Sequence, residues 1–362
     1  MKAQAALTHI RQLCCLGLGS EVIMPALMQA LHDCIPSYQN IFFWLDEHGQ
    51  YTNIYDEDWS GNLKIAQLYF KEFKDAKEKD FWPGSSVLIK SNAEVLHSST
   101  YLNKKSMRTD FYNVILRGMN VHYLMYAKAQ EQGRCMGIIN LCRPITSKPY
   151  TLKEENNLRA IMPYIAHSLH PQADKSAFAD TGEQGLAIMD TNAQVRYLCP
   201  GAQRLLFWAS HTQFSPQHLP HVKLKPTPPV LQQLCQNLIA VFKGQAASAP
   251  VAELCNAWGR FVFRAHWLDP YDHCASTLIG ITIQRQEPLA LSITRQMQNL
   301  PLSPRLKDVC LLFAQGQTQR QIAEHLRIST HTATDYIRVI YEKLGVHNRE
   351  DLLKTLQAQL MI

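Results

Sequence analysis

Residues 327–346 read RISTHTATDYIRVIYEKLGV. Ala333, Ile337, Ile340 and Leu344 recur at spacings of four, three and four, so a helix through them carries one apolar stripe that needs a core. His331, Thr334, Asp335, Arg338 and Glu342 fall on the opposite side, and each ends in a hydrogen-bonding group. Such a helix either leaves its polar side in water or presents it to a partner, and the flanking residues bear on which.

From Leu302 to Leu356 the punctuation divides the chain into four short helices. Ser303 before Pro304 is an N-cap followed by a proline at the first helical position, and Leu306, Val309, Cys310 and Phe313 give that helix its buried stripe. Gly316 ends it. Thr318 with Gln321 forms a capping box for the second helix, where Ile322 and Leu326 face inward and Ala323 is small enough for close approach. The stretch LRIS makes a turn, Ser329 caps the third helix, Gly345 terminates it after Leu344, and Asn348 caps a fourth. Two short helices joined by a tight turn, the second polar outward, form a helix-turn-helix, whose second helix fits a DNA major groove about 12 Å wide.

Leu302-Ser303-Pro304-Arg305, Ala314 and Gly316, Ile322-Ala323 with Leu326, Ile328-Ser329 and Thr332, and Ile340 with Lys343-Leu344-Gly345-Val346 and Arg349 resemble the LuxR-type helix-turn-helix family at fixed spacing over about sixty residues. The resemblance implies that residues 319–338 contact double-stranded DNA, with Thr318, Gln319, Arg320, Ser329, Thr330, His331, Thr332, Thr334, Asp335, Arg338 and Lys343 as the site, and that the fourth helix assists a homodimer through Leu353, Leu356 and Leu360. Arg338 is the candidate for a guanine contact, whereas Arg320 and Lys343 are candidates for phosphates that set register. The family usually has Glu where Leu306 and Gln321 stand, Val at Ala333, Lys at Thr334 and His at Tyr336. A phosphate-seeking cation is thus missing from the recognition helix. Asp335 repels phosphate but can accept from a cytosine amino group, which implies weaker nonspecific affinity and an altered preferred sequence.

The 362 residues exceed what one core serves and imply two to three domains. With 46% hydrophobic residues and no uninterrupted apolar run of about 18, the expectation is a soluble chain with no membrane partner. The opening residues MKAQAALTHIRQLCC lack a secretory pattern, so a cytoplasmic location is expected. The ten cysteines contain no CxxC pair, and adjacent Cys14 and Cys15 do not suit a disulfide framework, so reduced core thiols are expected. His211, His218 and His221 lie at no spacing that organises a zinc site, and no metal or cofactor is expected. Cys199-Pro200 reads as a capped turn into a helix rather than a haem ligand. No P-loop, nucleophile elbow or HExxH motif occurs, so no enzyme is expected. The net charge of +6 fits nucleic acid without requiring it.

The front of the chain reads as α+β with two antiparallel-sheet units. Residues 1–172 begin with helical spacing broken around Gly17–Ser20, where Pro25 is expected at the start of a second helix. Residues 39–55 and 122–144 are hairpins, turning at Glu47–Gly49 and at a Gln-Gly pair. Thr151 and Glu154 form a capping box for a helix whose stripe of Leu158, Ile161, Ile165 and Leu169 covers the sheet or meets a second subunit, with a kink at Pro163. After an aperiodic linker near 173–180, residues 180–287 give a hairpin, a helix opened by Pro200, a Pro- and His-rich irregular stretch, a helix ended by Gly244 and three strands. Residues 1–172 resemble a GAF-type and 180–287 a PAS-type sensor domain. These families imply a pocket for a small-molecule effector, which these residues do not identify, or a dimer surface. A helix at 289–299 then connects to the four-helix unit at 302–362. The reading is a DNA-binding transcription regulator controlled at its front domains. The alternative is a small-molecule or protein-binding sensor whose C-terminal helices only oligomerise.

Overall fold

In the computed structural model, which describes residues 2–170, 177–269 and 277–358, the chain opens with helices α1 (Lys2–Cys14) and α2 (Ser20–Cys34). Pro25 lies inside α2 rather than at its start. The helix begins earlier because Val22, Ile23 and Met24 are buried on it, and the Ile23 amide already donates to the Gly19 carbonyl. The hairpin β1 (Gln39–Leu45) and β2 (Tyr51–Asp56) follows as its alternating aromatics suggest. Then come α3 (Trp59–Leu68), α4 (Gly84–Lys90), the short strand β3 (Val95–His97), the hairpin β4 (Tyr123–Glu131) and β5 (Arg134–Arg143), and α5 (Leu152–Ser168).

The strands form one antiparallel sheet in the order β2-β1-β5-β4-β3. Every residue of β1 is buried, because helices cover both faces of the sheet's centre. On one side α5 buries Leu158, Ile161, Met162 and Ile165, packing on β4 and α1, so its stripe serves this chain's own sheet. The capping box at Thr151 and Glu154 is present, and the helix continues past Pro163, whose ring is exposed. On the other side α3 runs into a π-helical turn at Tyr69–Phe73, and a second π-helical turn lies at Phe111–Leu116. π turns are rare and recur at functional sites.

The described residues among 1–173 form one compact unit together with the later strap Gln213–Leu224. Phe214, fully buried, stacks on Trp59 with ring centroids 4.7 Å apart, and its amide donates to Asn53 Oδ1 at 2.8 Å.

The second unit begins with the hairpin β6 (Phe178–Met189) and β7 (Val195–Leu198), then α6 (Pro200–Ser210), α7 (Pro229–Phe242), β8 (Val251–Asn256), β9 (Gly259–Leu268) and β10 (Leu278–Pro288). Its sheet is antiparallel in the order β7-β6-β10-β9-β8. Cys199 caps α6 as expected, its Sγ accepting from the amides of Ala202 at 3.3 Å and Leu186 at 3.1 Å. Partial burial alone would raise that thiol's pKa, but these amides outweigh it and hold it below the ordinary value. Gly185 lets α6 lie directly on β6, since a Cβ there would sit 2.2 Å from the Ala202 amide nitrogen.

Helix α8 (Leu289–Gln296) is buried nearly all round: Leu291, Ser292, Ile293 and Thr294 are each 1% exposed. It meets β6 and β10 on one side and, on the other, the C-terminal helices described below. Part of the polar content this burial encloses is satisfied locally, with Thr294 Oγ1 donating to the Ala290 carbonyl at 2.8 Å and Gln296 Nε2 to Ser292 Oγ at 3.2 Å, whereas Gln296 Oε1 and Arg295 Nε have no hydrogen-bond partner. Glu287, 2% exposed, is held by Arg295 Nη2 at 2.5 Å, yet burial still raises its carboxyl pKa.

Cys14, Cys34, Cys135, Cys142, Cys235 and Cys310 are buried, the behaviour of a small hydrophobe. His211 Nδ1 meets the Phe207 carbonyl at 2.8 Å and His218 Nδ1 meets Ser215 Oγ at 2.6 Å, so each ring has a neighbour within its own segment. Among the described residues, no helix is long and apolar enough to cross a membrane, and no three His, Cys, Asp or Glu side chains are grouped to hold a metal.

Candidate nucleic-acid interface

Four helices close the chain: α9 (Pro304–Ala314), α10 (Gln319–Leu326), α11 (Thr330–Leu344) and α12 (Arg349–Ala358). Each start is built as the sequence spells it. Ser303 Oγ accepts from the Leu306 amide at 3.4 Å, ahead of Pro304 at the first helical position. Thr318 and Gln321 cap each other reciprocally, and Ser329 Oγ accepts from the Thr332 amide at 3.0 Å. Asn348 Oδ1 accepts from the Asp351 amide at 2.8 Å.

Helix ends are set by left-handed residues. Gly345 takes φ +66°, and between α10 and α11 Arg327 takes φ +53°. A non-glycine residue there is strained by roughly 1–2 kcal/mol. Arg305 spans the same joint, its Nη2 donating to the Leu326 carbonyl at 2.8 Å and satisfying an end of α10 from α9. Arg349 does likewise for α9, donating to the Ala314 carbonyl at 3.2 Å beneath the Phe313 ring. Both arginines stand among the residues that carry the family resemblance, but their use here shows only in the fold, which brings their backbone carbonyl partners close.

Ile322 and Ala323 on α10 and Ala333, Ile337 and Ile340 on α11 are all at most 5% exposed, packed with Val309 and Cys310 of α9. Phe313, Leu326 and Leu344 are half-buried around that centre. Ile293 and Met297, from α8 and the 3-10 turn after it, complete the cluster. Leu356 is 1% exposed and Leu352 fully buried in it, with Leu353 half-buried beside them. The expectation that Leu356 faces a second subunit is therefore corrected: α12 packs on α8 and α9, and that side chain is spent on the core of its own chain. Leu360 lies outside the described residues.

With the stripe inward, the polar face of α11 looks outward. His331, Thr334, Arg338 and Glu342 are exposed, with side-chain exposures of 88% for His331 and 72% for Arg338. Gln319 and Arg320, at the start of α10, are exposed beside them, and Thr334 Oγ1 donates to Gln319 Oε1 at 3.1 Å. The N-terminus of α11 carries no acidic residue in its first turn, leaving the positive end of its dipole uncompensated.

The charges on this face are internally paired. Asp335 lies 3.4 Å from His331 and 3.6 Å from Arg338, Arg338 lies 3.9 Å from Glu342, and Arg320 lies 3.1 Å from Glu324. Exposed pairs of this kind contribute about 0.3–0.5 kcal/mol each, little enough for a phosphate or base edge to displace. The remaining site residues divide by use. Thr318, Ser329 and Thr332 are engaged in capping, Thr330 offers its carbonyl to Thr334, and Lys343 Nζ donates to the Pro301 carbonyl at 3.2 Å.

A helix that turns through a left-handed residue into a second helix with an exposed polar face is a helix-turn-helix. Residues 300–356 match the family model described as bacterial regulatory proteins, luxR family, and form a LuxR-family helix-turn-helix domain. The transcriptional regulatory protein DesR of Bacillus subtilis (strain 168) is 45% identical over 49 residues, which is 14% of this chain and 25% of that protein. The chain thus spans a quarter of the length of this curated relative. Among solved structures, the Vibrio cholerae VqmA dimer without target DNA aligns with 48% of this chain and 82% of its own at 15% identity and a TM-score of 0.17. A chain of the Escherichia coli DhaR(N)–DhaL complex aligns with 78% of this chain and 89% of its own at 14% identity and a TM-score of 0.26. Neither superposition is close enough to bear on function.

Proposed function

We propose that this chain is a cytoplasmic, non-enzymatic transcription regulator that reads double-stranded DNA as a homodimer. The GAF-like segment 1–172 and the PAS-like segment 180–287 serve as sensors. Residues 289–299 connect them to the reader at 302–362. One observation carries the reading: α11 buries Ala333, Ile337 and Ile340 while holding His331, Thr334 and Arg338 in solvent, within the segment that matches the luxR family. Arg338 and Asp335 then address base edges. Arg320 and the cap residues Thr318, Ser329, Thr330 and Thr332 address phosphates, and Lys343 joins them on leaving the Pro301 carbonyl. A dimer would place two such helices about 34 Å apart, on successive major grooves. An effector or partner at the front domains would act by changing how often that spacing is met.

The reader holds eight Lys and Arg against six Asp and Glu from residue 302 onward, so phosphate attraction alone gives little affinity. Selection of bound duplexes from a random pool, followed by titration of the selected sequence against salt, tests the reading. A recovered two-fold sequence bound with a steep salt slope is the expected result. A pool that stays random, with no salt-dependent binding, would leave the C-terminal helices as an oligomerisation module.

A further inference from the structure

One row of registered side chains crosses the sheet of the first unit. Asp56 on β2 pairs with Ile41 on β1, Ile41 pairs with Asn140 on β5, and Asn140 pairs with Tyr126 on β4. Registered partners share a face, so these four project together as the floor of a cavity of about 60 Å³. Its walls come from α3 and both π-helical turns, through Trp59, Tyr69 and Phe70 on one side and Phe111 and Ile115 on the other.

Within this apolar box the side-chain oxygen of Asn140 is stranded. Asn140 is 5% exposed, yet its Oδ1 has no hydrogen-bond partner. Buried amide oxygens are nearly always paired, so an orphan facing a cavity marks an acceptor waiting for a donor. Asp56 is differently placed. Its carboxylate accepts from Gln39 Nε2, from Asn62 Nδ2 at 3.2 Å and from the Asp58 amide at 2.7 Å. Among the described residues lining the cavity there is no Lys, Arg or His, so an anion would find no counter-charge. The volume equals about two water molecules' share of liquid, which suits a fragment of roughly two to four non-hydrogen atoms.

We infer that this cavity takes a small neutral amphiphile, or the head of one, whose hydroxyl or amide N–H donates to Asn140 Oδ1 while its apolar body lies between the aromatic walls. This deepens, and rests on, the reading of the front domains as sensors. The π-helical turns over the floor are the elements such an occupant would touch first.

Ile41, Ile54, Ile65 and Ile115 line the cavity and supply methyl reporters, while Ile322, Ile337 and Ile340 report on the reader. The full-length chain, carbon-13 labelled at isoleucine methyls, is titrated without DNA with propan-2-ol and with acetone. These probes match in heavy-atom number and shape, and only the alcohol can donate. The expected result is saturable shifts at the four cavity methyls, with the alcohol bound at least about fivefold more tightly, and still methyls in the reader. In Asn140→Leu, which removes the acceptor at similar volume, that preference should fall to about one. The wild-type comparison stands even if this variant folds poorly. Shifts that never saturate, equal affinity for the two probes, or a preference that persists in Asn140→Leu would each overturn the inference, as would a cavity that admits water only. Failure of the reader would instead appear in the salt titration on DNA and leave these methyl shifts intact.

Discussion

The Thr334 hydroxyl lies 3.1 Å from Gln319 Oε1 and 3.0 Å from the Thr330 carbonyl and shares its one proton between them, so the outward face of α11 is tied to the first turn of α10 by a neutral side chain. Replacing Thr334 with Lys should add one phosphate contact at the cost of that exposed tie. The expected outcome is tighter binding to every duplex at low salt and a salt slope steeper by roughly 1 on logarithmic axes. Titrations on two unrelated duplexes check it. An unchanged slope would remove position 334 from the DNA-facing surface.

Arg338 is bracketed by Asp335 at 3.6 Å and Glu342 at 3.9 Å, so it must trade these partners for a base edge. Arg338→Ala should cost about 1–3 kcal/mol on the preferred site and much less on a site altered at the base pair it reads. Asp335→Asn, which releases the arginine from its nearer partner, should strengthen binding while relaxing preference at the neighbouring pair. Equal losses across all sequences in the Arg338→Ala titration would make it a phosphate contact instead.

Gly316 takes φ +97°, and a Cβ built on it would lie 2.8 Å from Arg349 Nη2. Gly316→Ala therefore strains the backbone and displaces the guanidinium that satisfies the Ala314 carbonyl. A loss of about 1–3 kcal/mol in urea unfolding is expected. Combined with Arg349→Ala the two losses should sum to less than their separate values, because both break one contact. Strict additivity would show that Gly316 acts through its backbone alone.

What could be read from the sequence was local. Ser303-Pro304, Thr318 with Gln321, Ser329, Gly345 and Asn348 are caps whose partners lie within a few residues, and each forms as spelled. The α11 stripe and both sheet hairpins are periodic signals of the same short range. Contacts between distant segments carry no such signature. Phe214, in a stretch expected to be irregular, is fully buried on Trp59, and only its apolar ring in a polar run hints at that. Leu356 repeats every third or fourth residue whether its stripe meets a second chain or its own α8 and α9, so periodicity could not choose between them. Asn140 sits among strand hydrophobics without a mark of its own. Its isolation emerges only when β1, β2 and β4 are laid beside β5.

Burial pushes the Asp56 carboxyl up from 3.8 to about 7, its hydrogen bonds from the Asp58 amide, Asn62 and Gln39 offsetting part of that cost. A raised acid binds its proton more tightly folded than unfolded, so the stability linked to Asp56 is complete below about pH 4. It is lost as pH climbs to about 7, with no further change above. Glu78, raised to about 7 by burial, works in the same window. His32, raised above its ordinary 6.5 chiefly by its hydrogen bond with Glu57, keeps its share intact below that pH and loses it only above. His122 and His211, lowered by burial, pull the other way as pH falls. Asp56→Asn isolates one share of the balance. It should stabilise the chain by about 1–3 kcal/mol at about pH 8 and by far less at about pH 4, flattening the decline between them. Urea unfolding of wild type and variant, followed by tryptophan fluorescence across that range, measures the difference. A variant whose stability runs parallel to wild type at every pH would mean that Asp56 is ionised in the folded chain at neutral pH.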